Sequence, residues 1–301
     1  MSPLDPQILS LLRANIFRDA WPAIDDWEKF PWHIGSNRKT DTWKPHSSQA
    51  LAIDVFGTVC TSSAKMHILN ALARQAGLQE SDQWSLFLEW LDPDNVMHEI
   101  NQRTQVDVLA MSETALMFFE CKFTETDGGH CSQPSKISSG AHKGLVQCTG
   151  NFELQTNPAN HKTDRCSLSA KGIRYWEFIP QVFQIELEED QQPCPFGGPW
   201  YQWMRNITNA YAISQSTGRQ AAFYLVYADS PTLPIAKMVH SAQWEALTRF
   251  IRKDRVNIGV ISFQELLNMI SEIDSGNSWR GLQTWVSKKI ENTISKGNSE
   301  T

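Results

Sequence analysis

No apolar run in the 301 residues approaches the ~20 needed to span a bilayer, so the sequence offers no membrane helix. The first residues, MSPLDPQILSLLRANIFRDAW, lack the basic start and long apolar core of a secretory signal. That points to a cytoplasmic protein with reduced cysteines. Positive charge is also scarce. With 27 Lys and Arg against 33 Asp and Glu, the formal net charge of −6 excludes a generally basic nucleic-acid coat and leaves room only for a local basic track. There is no P-loop, no dinucleotide fingerprint and no internal repeat, and neither GxSxG nor HExxH occurs. The commonest hydrolase readings are thereby removed. The six cysteines include no C-x-x-C pair.

What is present suffices for one large α/β core or two small ones, with 41% hydrophobic and 20% charged residues. Twelve Trp is a high count, and Trp21, Trp27, Trp32 and Trp43 fall early. They read as anchors for an N-terminal arm over residues 1–46, which begins with a helix from Pro6 to Phe17 capped by Asp5.

The organising stretch is 104–124, TQVDVLAMSETALMFFECKFT. Two short apolar runs rich in strand formers flank Ser112-Glu113-Thr114 and predict a β-hairpin. Both runs carry charge where burial alone would not place it: Asp107 between Val106 and Val108, then Glu120 and Lys122 at the end of the second. A loop centred on Glu113 and Thr114 sets Asp107 opposite Glu120, with Cβ atoms about 5 Å apart. Lys122, two residues on, shares the face. Facing carboxylates repel unless something compensates, and a hard divalent cation would do so, with the Cys121 carbonyl as a third oxygen. Lys122 could then orient or deprotonate a water, or stabilise developing negative charge. That set equips a site for metal-assisted phosphodiester hydrolysis. A hairpin whose charges simply face solvent is the plain alternative.

Asp107 followed by Glu120-Cys121-Lys122 resembles the PD-(D/E)XK nuclease superfamily. The resemblance implies an α/β restriction-endonuclease-like αβββαβ core, a mixed central sheet flanked by helices. One departure is Val106, where many members carry the proline of the motif. The segments Ser47–Ala52 (SSQALA), Lys171–Trp176 (KGIRYW) and Tyr201–Asn206 (YQWMRN) extend the likeness to restriction-endonuclease-like proteins, over roughly 45 to 273. It implies Mg²⁺ or Mn²⁺ on Asp107, Glu120 and the Cys121 carbonyl. Glu99 would bind metal directly or through water, or else be a surface acid. Gln202 would contact phosphate or the water network from the helix Trp200–Ser214, a role Arg205 shares. Gln49 either faces the site or is a surface polar residue.

Residues 124–199 are too long for a plain loop and read as an insertion. Between His130 and Trp176, Lys136, Lys143, Lys162, Arg165, Lys171 and Arg174 stand against Glu153 and Asp164. This is where a phosphate backbone could lie, with Phe152, Tyr175 and Trp176 as stacking surfaces. Incidental solvated charge is the alternative. Cys131, Cys148, Cys166 and Cys194 also fall here. Four cysteines in one irregular intracellular segment suit zinc or an iron–sulfur cluster, such as some superfamily nucleases carry, or else remain unliganded thiols.

The reading is therefore a nuclease domain over 47–273, with a C-terminal helix and tail over 274–301. It would be a metal-dependent DNA endonuclease acting on double-stranded DNA, with no membrane partner and with homo-oligomerisation left open. The rival is a catalytically silent nucleic-acid-binding protein with a cysteine-bound structural metal.

Overall fold

The computed structural model describes residues 4–35, 39–100, 103–134, 166–185 and 194–297, with 136, 143–144, 148 and 150. A five-stranded sheet runs in the order β1 (Ser85–Leu91), β2 (Gln105–Met111), β3 (Ala115–Lys122), β4 (Gln220–Tyr227), β5 (Asn257–Ser262). The first three strands are antiparallel and the last three parallel. This is the mixed, helix-flanked sheet expected of a restriction-endonuclease-like core. The hairpin has the predicted register, with Val108 across from Phe119 and Leu109 across from Phe118.

β3 lies at the centre and every residue of it is buried, because both faces are covered. On one face, Phe56 meets Phe119 (4.8 Å between ring centres) and Phe119 stacks on Tyr224 (5.3 Å). Phe56 belongs to a helical run that starts at Ser48–Ala52, passes through a π turn at Ile53–Gly57 and ends at Thr58–Thr61. The other face carries the long helix Tyr201–Thr217, which bridges β3 and the parallel β4. Gly218, at φ +70°, ends that helix in a left-handed turn that only glycine adopts without strain. The helix Phe263–Ile273 starts in a capping box: Ser262 Oγ accepts from Glu265 N at 3.1 Å, and Glu265 Oε2 accepts from Ser262 N at 2.8 Å.

The early tryptophans form their own cluster. Trp21, Trp27, Phe30 and Trp32 pack in succession, around Leu12, Ile16 and Ala20. They fix the arm so that Pro31–Ile34 and Asp41–His46 pass beside the ends of β1, β2 and β3. The stretch read as an insertion also contributes structure, since the helix Tyr175–Val182 packs on Tyr201–Thr217. Among the described residues no helix is long and apolar enough to cross a membrane.

Candidate active site

Three carboxylates fall in one row across β1, β2 and β3. In β1, Leu88 pairs with Val108 and Trp90 with Val106, which leaves Glu89 opposite Asp107. The β2–β3 ladder ends at Val108 and Phe119, one step before Asp107 and Glu120. Backbone pairing is interrupted along this row. Glu89 takes a φ of +52°, a conformation that costs a non-glycine residue about 1–3 kcal/mol. Asp107 Oδ2 accepts the N–H of Cys121 at 2.7 Å, and strand geometry puts the Cys121 carbonyl on the same side.

Lys122 sits within 2.7 Å of Glu120 Oε1 and donates to Gln202 Oε1 at 2.8 Å. Asn206, one turn beyond Gln202, donates to Glu120 Oε2 at 2.5 Å. Glu120 is fully buried behind these groups, whereas Glu89, Asp107, Cys121, Lys122, Glu125 and Gln202 line a cleft of about 600 Å³. The arm supplies the opposite wall, with His33, Lys44 and His46.

The family model described as "Restriction Endonuclease associating with ARP" matches residues 25–287. The chain belongs to that family. No curated protein and no solved structure matches it.

In this restriction-endonuclease-family protein the row is electrostatically tense. Burial above all, with the charge of Glu120 behind it, holds Glu89 at about 8 against hydrogen bonds from Gln49 and Gln105. Burial, then Glu120 and Glu89, pushes Asp107 well above the usual carboxylate range. A raised acid binds more protons folded than unfolded. The stability tied to Glu89 is therefore complete below its ordinary 4.5 and is lost as the pH rises through about 8. Metal-free protein should accordingly melt at falling temperature between about pH 5.5 and 8.5, and Glu89→Gln should flatten that slope. An equal slope in both proteins, followed by circular dichroism in EDTA, would remove Glu89 from the tension.

Sequence reasoning passed over Glu89 and Glu125. The signal that found Asp107, an acid inside an apolar run, also marks Glu89 in Leu88-Glu89-Trp90. Glu125 accepts from Phe123 N (2.7 Å), Thr124 N (3.0 Å) and Ser48 Oγ (2.6 Å). Gln49 does line the cleft, and it staples the arm: its Oε1 accepts from His33 N at 2.8 Å and from Thr42 Oγ1, and its Nε2 donates to Pro31 O at 3.1 Å.

Glu99 is not brought to this cleft. It lines a separate one of about 240 Å³ with Tyr175 and Arg205. There it accepts from Thr104 N (2.5 Å), Thr104 Oγ1 (2.7 Å), Arg205 Nη2 (2.8 Å) and the Tyr175 hydroxyl. Arg205 serves this network and not the Asp107 cleft. Among the described residues, no three His, Cys, Asp or Glu side chains close around a common point. Of the basic segment, Arg174 pairs with Glu177 at 2.7 Å and Lys171 donates to Gln133 at 3.0 Å. Phe152, Glu153, Lys162, Asp164 and Arg165 lie outside the described residues.

Proposed function

We propose that the protein is a divalent-cation-dependent DNA endonuclease of restriction or DNA-processing type. The observation that supports this most is the carboxylate row with Lys122 beside it, at the ends of three adjacent strands, in a restriction-endonuclease family. The donors suit a hard cation. Asp107, Glu120 and Glu89 offer carboxylate oxygens and Cys121 a carbonyl, and Glu120 Oε1 already faces the Lys122 ammonium at 2.7 Å, so it carries negative charge toward the row. Mg²⁺ or Mn²⁺ held there would withdraw charge from the phosphate under attack.

Lys122 acts as a donor. Burial alone would favour its neutral form, but Glu120, Glu125 and Asp107 outweigh burial and hold the ammonium above its ordinary range. A lysine so held can orient an attacking water or steady charge on the phosphate oxygens, and is a poor proton acceptor. Of the roles open to it from sequence, orientation and charge stabilisation are favoured. Gln202 fixes the direction of the ammonium, and Asn206 fixes Glu120. Lys44 and His46 line the route by which a duplex would enter.

Supercoiled plasmid should be cut with Mg²⁺ or Mn²⁺ and spared in EDTA. Lys122→Ala should bind the cation and fail to cut. Undiminished cutting by Lys122→Ala, or cutting in EDTA, would refute the mechanism. Duplex bound but never cut with either cation would favour the silent binding protein.

A further inference from the structure

Four of the six cysteines come from separate stretches of chain, and the fold gathers them. Cys131 N donates to Gly197 O at 3.1 Å, three residues beyond Cys194. Cys194 N donates to Gly150 O at 2.5 Å, two residues beyond Cys148. Ser167, next to Cys166, donates to the side chain of Gln133, two residues beyond Cys131. Each link joins the surroundings of one cysteine to those of another, so all four converge. The thiols of Cys131, Cys148 and Cys166 all act electrostatically on Cys194.

Backbone N–H groups are aimed at the sulfurs. Gly150 N points at Cys148 Sγ at 3.4 Å. Gln133 N–H does the same for Cys131, and Phe196 N–H for Cys194. In three of the four loops the donor is therefore the residue two positions on. N–H groups directed at sulfur favour the thiolate over the thiol. Ordinary buried thiols need no such donors. Donors directed at sulfur in three of the four loops suit thiolates that share a cation. None of the four forms a disulfide. Among the described residues no three of these side chains close around one point, so a bound metal would have to draw the four loops together.

We propose that Cys131, Cys148, Cys166 and Cys194 are the four ligands of a thiophilic metal centre, a zinc ion or an iron–sulfur cluster. Four protein ligands leave no open position, so the centre is structural and takes no part in cleavage. It braces the helix that bears Gln202 and Asn206. Pro195–Gly197 leads into that helix, and Tyr201 N and Gln202 N donate to the carbonyls of Gly129 and Gly128, just before Cys131. Each thiol that becomes a ligand releases its proton on binding.

The test is metal analysis of the full chain, purified without chelator and without oxygen. About one zinc per chain is expected, or iron with sulfide and a brown colour, which tells the two occupants apart. Cys148→Ser and Cys194→Ser should each lose the metal, and Cys60→Ser, which lies outside the cluster, should keep it. Should the serine variants fail to fold, the unaltered protein decides: a strong chelator should expose four further thiols to alkylation. Protein without zinc or iron, with thiols equally reactive before and after chelation, would overturn the site. So would metal content unchanged in the serine variants.

Discussion

Asp107→Asn is expected to lose DNA cleavage by on the order of a thousandfold or more, and yet to be the more stable protein when no divalent cation is present. On the proposed mechanism activity falls because one negative ligand leaves the row formed with Glu89 and Glu120. Stability rises because those two carboxylates and burial all disfavour the Asp107 charge. Asparagine keeps an oxygen for the Cys121 N–H and has no charge to bury. The gain should be roughly 1 kcal/mol near pH 8 and should vanish when Mg²⁺ stabilises the unaltered protein. Plasmid cleavage and thermal melts in EDTA measure the two halves separately. A variant that cuts at the original rate would remove Asp107 from the reaction. A variant that melts lower without cation would mean the charged carboxylate contributes net attraction.

Lys289→Met should destabilise the fold by about 3–5 kcal/mol, more than any surface change. Lys289 Nζ lies 2.5 Å from Asp54 Oδ2, and both side chains are almost wholly inaccessible. Asp54 also accepts from Phe17 N at 2.6 Å and from Trp285 Nε1 at 3.0 Å, and Lys289 donates to Asn15 O at 2.7 Å. The pair thus joins the N-terminal arm, the π turn behind the sheet and the last helix, Asn277–Gly297. Removing the lysine strands a buried carboxylate. Asp54→Asn with Lys289→Met should recover most of the loss, because no charge is then left alone. Urea unfolding at neutral pH measures both. A loss under about 1 kcal/mol for the single variant would show that water reaches Asp54 and the pair is not sealed.

The hairpin and its register were legible because each rests on local pattern. Asp107, Glu120 and Lys122 were legible through the spacing of charges along two strands, and Gln202 only through the resemblance to the nuclease superfamily. Glu89 was missed although it gives the same signal, because a Glu near a strand end also reads as ordinary surface. Asp54, in Leu51-Ala52-Ile53-Asp54-Val55-Phe56, was missed likewise: its partner stands far along the chain, and no pattern of period 2 or 3.6 relates them. The resemblance offered Glu99, upstream of Asp107, as a metal ligand or else a surface acid, whereas three-dimensional packing buries it with Arg205 and Tyr175. The arm's place as a cleft wall depends on Gln49 capturing His33, Thr42 and Pro31, contacts set by tertiary packing alone.

The Asp54–Lys289 pair also sets a clock on synthesis. A ribosome delivers the arm, the sheet and every residue of the cleft before it delivers Lys289. Until then the nascent chain is in the position of the Lys289→Met variant, with a carboxylate to bury and no cation to meet it. The arm, the π turn and the last helix meet at this one pair, so their docking on one another is complete only once Lys289 has been made.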